Sequence, residues 1–430
     1  MTTPLFIQRP ILPIKSTISR NGLSLRIMTY NALAQCLVRR DLFPENGNGV
    51  KWKFRGPALE SELMIYKPDI LFLQEIDLAK YKTFWVPICV KLGLESHFST
   101  YPGKHHGLVV AYSKKHFILK EKNEFFYDGL PTSANGSSLL VPMNSLETKN
   151  SGIVLALEVN KQNNSDQSSL NDKAFDTVNE GIVIATTHLY WHPFGSFVRA
   201  IQCGQLIDKV IKFSTRETSN YSQWPIFIGG DFNSSPDDLP YQFLITQPHS
   251  PSDINKTTRD IAVKSLLYLY NKYGAEKEQQ EPETFKREEM VQAVDDEGVV
   301  TALDPEYIDK CIASILPFYW TENSDRTPVK YRAESLYGEH YRKVDPENSK
   351  THNPDFHEPE FSNWAHTWQG LLDYLFLLEN VEACEGDPKK RVLVKELLKM
   401  PTGSEIGEAG QPRVGEYPSD HLCLMATVEI

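Results

Sequence analysis

The scarcities of this chain narrow it first. It holds 6 cysteines in 430 residues, at 36, 89, 203, 311, 384 and 423, and no two form a Cys-x-x-Cys pair. Zinc-finger spacing is therefore excluded, and the thiols read as buried side chains of a reducing compartment. Apolar runs are short: none approaches 20 residues, and the longest are strand-sized, such as Ile182 to Ala185. A membrane-spanning helix is not expected. Positive charge is in deficit, with 45 Lys and Arg against 56 Asp and Glu and a net charge of −11. A protein that coats duplex DNA through bulk charge is usually basic, so any contact with a polyanion here is local and helped by bound cations. Internal repeats are absent, including any leucine-rich array ahead of Leu25. The first twenty residues lack acids and carry Arg9, Lys15 and Arg20, as a mitochondrial presequence would, but Pro4, Pro10 and Pro13 oppose an amphipathic helix there. An N-terminal arm over residues 1–22 is the expectation, with a cytoplasmic or nuclear location ahead of a mitochondrial one.

What is present is an alternating α/β text. Leu25 to Tyr30 reads as a strand ending at Asn31. A helix follows around Leu59, Leu63 and Tyr66 and stops before Pro68. Asp69 to Glu75 is a buried strand with a polar end. Gly107 to Ser113, Gly152 to Val159, Gly181 to Thr187 and Pro225 to Gly229 look the same, and Leu371 to Leu378 and Leu422 to Ile430 close the series. Phe197, Ile201, Leu206, Val210 and Phe213 fall at helical spacing. Residues 23–430 therefore form one domain, with surface insertions near 160–180 and 274–360. Buried strands repeatedly end in a chemically capable residue: Asn31, Glu75, His188, Asp231. In α/β folds strand ends gather in one crevice, so these residues are expected to meet.

Five motifs carry the chemistry. In Gly229-Gly-Asp231-Phe-Asn233, paired glycines permit a sharp turn, and Asp231 and Asn233, two apart, face one small volume. That pairing suits a metal ion and a phosphate oxygen, or a carboxylate that orients water. Alone, such a run is more often a turn whose Asp and Asn bond their own backbone. Leu73-Gln-Glu75 puts a carboxylate at an apolar strand end, a costly place unless it is paired or metal-bound; a solvated strand end is the plainer alternative. His188, in Thr-Thr-His-Leu-Tyr-Trp-His192-Pro193, is placed to donate to a phosphate oxygen, or is a packed imidazole. In Ser419-Asp420-His421, the Asp is suited to hold an imidazole such as His188 and the His to bind metal or phosphate, against a simple turn. Asp373 interrupts an apolar strand and needs a partner. Each signal is modest, but all five together, at strand ends and turns, are far less expected by chance.

The set resembles the endonuclease/exonuclease/phosphatase superfamily. Asn31 in Tyr-Asn-Ala, Leu-Gln-Glu75, Thr-His188-Leu, Gly-Gly-Asp-Phe-Asn233, Leu-Asp373-Tyr and Ser-Asp-His421 match its motifs in order, from about Leu25 to Ile430. Within it, Tyr30 to Gln35, His188 to Pro193 and the Ser362 to Tyr374 block resemble carbon catabolite repressor-type deadenylases, nocturnin and, most of all, fungal Ngl-type RNA exonucleases. The missing leucine-rich repeats weaken a place in a deadenylase complex. The resemblance implies a four-layer α/β (α+β) sandwich, with two mixed β-sheets flanked by helices. It implies two magnesium sites, with manganese as a substitute. Glu75 resembles the ligand of one metal; Asn31, Asp231, Asn233 and His421 resemble the groups around a second metal and the scissile phosphate. His188 is similar to the residue that stabilises the pentavalent charge, and Asp373 and Asp420 resemble carboxylates that orient the histidines or add to the metal site. A base clamp is implied at Pro193 and Trp368, where tryptophan departs from the commoner phenylalanine. His192 and Lys104 are further substrate contacts. Lys104, His105 and His106 read equally as a solvated basic loop.

The implied activity is a magnesium-dependent 3′→5′ exoribonuclease working on poly(A)-like or ribosomal-precursor 3′ ends, a metal-dependent hydrolase whose partner is single-stranded RNA, which suits an acidic protein that stacks bases. Two alternatives stand beside it: a phosphatase or phosphodiesterase on a small nucleotide or dinucleotide, and a non-catalytic scaffold in an RNA-processing complex, which the intact motif chemistry opposes.

Overall fold

A computed structural model describes residues 5–15, 22–128, 140–142, 146–161, 180–216, 221–281, 286–319, 331–349, 357–381, 392–407 and 410–430. In chain order the strands are β1 (Ile11–Pro13), β2 (Ser24–Asn31), β3 (Ile70–Asp77), β4 (Leu94–Ser99), β5 (His106–Ser113), β6 (Phe117–Phe126), β7 (Ser151–Val159), β8 (Gly181–His188), β9 (Ile226–Asp231), β10 (Val291–Val294), β11 (Val300–Leu303), β12 (Tyr331–Ser335), β13 (Asn363–Ala365), β14 (Trp368–Gly370), β15 (Asp373–Asn380), β16 (Leu393–Leu398) and β17 (Leu424–Glu429). Seven of them form one sheet in the order β1-β16-β17-β2-β3-β5-β4, and six form another in the order β12-β15-β9-β8-β7-β6. The pairs β2–β3 and β8–β9 are parallel and the other pairs antiparallel, so both sheets are mixed.

Strand alternation builds the layers. Leu25 and Ile27 of β2, Ile70 and Phe72 of β3, Ile182 and Ile184 of β8, Phe227 of β9 and Leu375 and Leu377 of β15 share the apolar layer between the sheets. Their neighbours of opposite parity face outward. Met28, Tyr30, Leu71 and Leu73 pack under the helices Trp52–Tyr66 and Val86–Lys91. Val183, Ala185, Ile226, Ile228, Tyr374 and Phe376 pack under the helices Ser196–Thr215, Leu239–Ile245, Lys256–Gln280 and Pro305–Ile315. The result is helix, sheet, sheet, helix, as the four-layer expectation has it. Each fully buried Leu or Ile contributes roughly 1.5–3 kcal/mol. Gly229 is required where the sheets approach: a Cβ there would lie 2.2 Å from the Phe72 ring.

Two stretches differ from their sequence reading. Within 274–360, β12 pairs with β15, and Tyr307, Ile308, Cys311, Ile312 and Ile315 are core, so much of this supposed surface insertion is structural. The Glu-rich run that suggested a solvated segment covers only its beginning. In the N-terminal arm, β1 pairs with β16, and Arg9 is buried with its Nη2 donating to Cys423 O at 2.8 Å. Residues 162–179 of the other expected insertion lie outside the described residues. Among the described residues no helix is long and apolar enough to cross a membrane.

Candidate active site

Asn31, His188, Asp231 and Asp373 each continue the parity that faces the space between the sheets. Asn31 follows Leu25 and Ile27, His188 follows Ile182 and Ile184, Asp231 follows Phe227, and Asp373 precedes Leu375 and Leu377. The register brings them to one end, because Asp231 lies opposite Asp373 on one side and beside His188 on the other. The apolar layer thus ends in a polar mouth. A buried polar step separates the two: Gln74 Nε2 donates to Thr186 Oγ1 at 3.0 Å and to Thr29 Oγ1 at 3.2 Å.

Asp231 is the hub. Asn31 Nδ2 donates to its Oδ2 at 2.8 Å and to Glu75 Oε1 at 3.2 Å. His188 Nε2 lies 3.4 Å and His421 Nε2 3.7 Å from the same Asp231 Oδ2. Asp231 Oδ1 accepts from Asn233 N at 2.8 Å, the local turn bond that the isolated motif suggests, while Oδ2 remains turned to the crevice. The turn and the site are therefore one arrangement. Glu75 reaches the mouth through a bulge between Leu73 and Ile76, with φ +57°. A left-handed glutamate costs about 1–3 kcal/mol and persists only where its surroundings hold it. Here Ala34 N donates to its Oε2 at 3.0 Å.

His421 is held by Asp373, whose Oδ2 lies 2.7 Å from Nδ1 and also accepts from Ser362 Oγ at 2.7 Å. Burial alone lowers the affinity of this imidazole for its proton, but Asp373 and Asp231 outweigh burial and hold it well above its ordinary value. Its protonated form is thus favoured, with Nε2 3.7 Å from Asp231 Oδ2. The expectation that Asp420 holds an imidazole such as His188 is corrected. The carboxylate nearest His188 is Asp231, and Asp420 Oδ1 accepts from Ser419 Oγ at 3.4 Å. Burial pushes Asp420 up to about 6, with Glu75 and Arg55 among its charged neighbours.

The donor chemistry fits a hard divalent cation. Asp231, Asp373 and His421 offer ligand atoms within 4.8 Å of one another, and Asp373 Oδ1 is buried without a hydrogen-bond partner. The mouth and its walls carry four carboxylates, Glu75, Asp231, Asp373 and Asp420, against the cations Arg55 and His421. Such an excess of buried negative charge is costly unless a cation joins it.

Several supporting residues carry no motif and escape a reading of the sequence. Buried Arg55 donates to Leu33 O at 2.7 Å, to Pro418 O at 2.6 Å and to Ala32 O, tying the segment after Asn31 to the one before Asp420. Asp77 accepts from Gln35 N at 2.9 Å and Cys36 N at 3.0 Å. Ser362 and Gln74 lie inside motif blocks, but those motifs give them no role, and the structure shows them supporting the site. Costly burial of an arginine or a glutamine is their one signature, and it is visible only once the fold is known.

The expected substrate contacts lie on segments linked to residues of the mouth. Asn233 Nδ2 donates to Leu189 O at 3.0 Å and so pins the loop that carries His192 and Pro193. Pro193 is exposed; His192 is half-buried and stacks on Tyr268 at 4.5 Å. Trp368 is 60% exposed on the β13–β14 hairpin, whose Asn363 bridges to His421. The basic loop divides: Lys104 and His106 have Glu75 as a charged neighbour, whereas His105 is exposed. Burial pushes His106 down to about 4, so its ring is neutral.

With this geometry in view, the comparisons with known proteins agree. A profile of the Endonuclease/Exonuclease/phosphatase family matches residues 28–421. RNA exonuclease NGL2 of Saccharomyces cerevisiae is 34% identical over 448 residues, covering 99% of this chain and 82% of that protein. Probable RNA exonuclease NGL3 of the same yeast is 32% identical over 456 residues, again covering 99% and 82%. Among solved structures, the 2′,3′-cyclic phosphatase ANGEL2 in complex with adenosine-2′,3′-vanadate superposes with TM-score 0.59 at 19% identity over 99% of both chains. The human Nocturnin catalytic domain with bound sulfate gives 0.52 at 18%, over 100% of this chain and 99% of its own. At those identities the structures establish a shared fold.

Proposed function

The chain belongs to the Endonuclease/Exonuclease/phosphatase family, and on that premise we propose that it is a metal-dependent 3′→5′ exoribonuclease that hydrolyses phosphodiesters at single-stranded RNA ends. The observation that carries this reading is the convergence on Asp231 Oδ2 of Asn31, His188 and the His421–Asp373 pair, with Glu75 beside them. The two yeast relatives named RNA exonucleases, similar across 99% of the chain, support RNA as the substrate.

Magnesium, with manganese as a substitute, is the proposed cation, which Glu75, Asp231, Asn31 and Asn233 would hold at up to two positions, with protonated His421 facing the phosphate beside it rather than ligating; when bound it supplies Lewis-acid stabilisation of phosphate charge and a more acidic water. The chain's own groups do the rest. Asp231 orients the attacking water and accepts its proton. His188 donates to the phosphoryl oxygens as charge grows on them. His421, kept protonated and fixed in rotation by Asp373, offers Nε2–H to the same oxygens. Asp420 helps hold the wall beside Glu75. Pro193 and Trp368 grip the terminal base, with His192 and Lys104 alongside. The five described cysteines are free, in keeping with a reducing cytoplasmic or nuclear setting.

The test is purified protein with magnesium on RNAs labelled at the 5′ end and differing in 3′ sequence. Ladders that shorten from the 3′ end, and stop on chelation, are expected. Release of inorganic phosphate from a small nucleotide, with RNA left intact, would overturn the assignment in favour of a phosphatase.

A further inference from the structure

The loop that follows His188 holds large rings out into solvent. Trp191 is 69% and Phe194 48% exposed. Their backbone is nonetheless fixed. Arg199, buried and paired with Asp238 at 2.7 Å, donates from Nη1 to His192 O at 2.6 Å and to Tyr190 O at 3.3 Å. Gly195 N donates to His192 O at 2.8 Å, and Ser265 Oγ to Phe194 O at 2.8 Å. Exposed rings on so rigid a loop cost hydration without relieving strain, which marks a contact surface. Ordering entropy is already spent, so a ligand would gain the full stacking energy.

The same face continues onto the helix Lys256–Gln280. Tyr268 packs against His192 at 4.5 Å and Phe194 at 5.7 Å. Lys264 and Lys272 lie one turn to either side of Tyr268, on the same helical face, and both are exposed. Lys272 Nζ sits 5.5 Å from the Tyr268 ring and 5.2 Å from that of Tyr273. In a chain of net charge −11, this is a local basic and aromatic strip, and it begins three residues beyond His188.

We propose that Trp191, Phe194 and Tyr268, flanked by Lys264 and Lys272, form a stacking platform for the single-stranded RNA that trails from the active site. The inference rests on the exoribonuclease reading and extends it. Ring faces and ammonium groups in alternation match the bases and phosphates of an unpaired strand; a duplex has no free base faces to offer. The platform therefore makes affinity rise with strand length, while the terminal nucleotide is handled at the mouth.

The experiment compares wild type with Trp191→Ala and Lys272→Glu, both at exposed positions, on a dinucleotide and on an RNA of roughly twelve nucleotides, long enough to span a platform of this kind. Cleavage is followed with magnesium, and binding of the long RNA by fluorescence anisotropy in chelator. Trp191→Ala should raise KM and Kd for the long RNA by roughly tenfold, as one lost stacking contact implies, and leave dinucleotide turnover as it was. Lys272→Glu should flatten the dependence of log Kd on log salt by about 0.7. Cleavage of both RNAs with the same length dependence in all three proteins overturns the platform and leaves the exoribonuclease reading standing. Tight long-RNA binding that the variants weaken, with no cleavage by wild type, supports the platform and sinks the catalytic reading. Self-association abolished by Trp191→Ala, with RNA binding unaltered, overturns the platform in favour of a protein interface.

Discussion

Just ahead of β17, Cys423 meets Arg9 beside Glu62, and two residues earlier His421 meets Asp373 and Asp231. Both clusters are buried. Arg9 and Glu62 are 3.7 Å apart with side chains 3% and 1% exposed, and Arg9 adds bonds to Cys423 O and Sγ, each at 2.8 Å. Here one cation stands against one carboxylate, within the chain. At the mouth, His421 is surrounded by Asp373, Asp231 and, beyond them, Glu75 and Asp420, so negative charge is in excess. The outer cluster ties the N-terminal segment to the domain and is balanced in charge, although Arg9 Nε and Glu62 Oε2 are buried without a hydrogen-bond partner. The inner one keeps an excess of carboxylates that a bound cation would offset. Burial of charge alone does not mark a functional site; unbalanced burial does.

The largest effect expected from breaking this contrast is catalytic. Asp231→Ala and Glu75→Ala should each lower turnover of labelled RNA by about a thousandfold or more, since the hub and the second carboxylate of the mouth are removed. Neither should lower the melting temperature in chelator, because each relieves like-charge crowding. Magnesium should raise the melting temperature of wild type by linkage, and of neither variant. A variant that melts lower in chelator would show its carboxylate to be structural. Arg9→Ala should do the reverse. Leaving Glu62 buried without its cation costs about 3–4 kcal/mol in denaturant unfolding, while the magnesium increment stays as in wild type. An Arg9→Ala protein that loses the increment would join the two clusters into one system.

A third buried carboxylate sharpens the comparison. Glu358 is fully buried, accepts from Tyr241 Oη at 2.9 Å through Oε1, and has no hydrogen-bond partner at Oε2. Among the described residues no arginine pairs with it, and desolvation pushes it up to about 7 from 4.5, so it keeps its proton through the acidic range. A group with a raised folded value contributes stability below its unfolded value and loses it as pH rises through the folded one. Wild type in chelator should therefore lose about 2.5 kcal/mol between pH 5 and pH 8 from this group, and Glu358→Gln should lack that slope. Urea unfolding at three pH values decides it; parallel curves for the two proteins would refute the assignment.

Much of the mouth could be read from sequence because parity is local. Asn31, Glu75, His188 and Asp231 each end a recognisable apolar run, and strands of one α/β sandwich end together. What could not be read is set by pairing between distant segments. Asp373 lies opposite Asp231 through the antiparallel register of β15 on β9, and that register places it on His421. The imidazole expected for Asp420 was one such as His188, from another strand end, but the parallel register of β8 and β9 sets His188 beside Asp231 instead, at 3.4 Å. The bulge that lifts Glu75 has no glycine to announce it. Tyr-Arg-Ala-Glu-Ser, the sequence of β12, has no apolar run, so a strand of the second sheet was hidden inside an apparent insertion.

The smallest expected effect tests whether the inner cluster needs its orientation as well as its charge. Ser362 Oγ donates to Asp373 Oδ2 at 2.7 Å and accepts from Leu372 N and Asp373 N, both at 3.0 Å. It carries no charge and touches neither Asp231 nor His421 by any hydrogen bond among the described residues. Ser362→Ala leaves the charge balance untouched but frees Asp373 to rotate, and with it the imidazole. Turnover should fall by about tenfold, near 1.4 kcal/mol, with KM unchanged, as for other residues that only orient a ligand or a catalytic group. The magnesium increment in melting temperature should persist. If Ser362→Ala turns over as wild type does, charge alone organises the mouth and the Asp373–His421 geometry is incidental. If it falls as far as Asp231→Ala, Ser362 acts on the reacting groups directly.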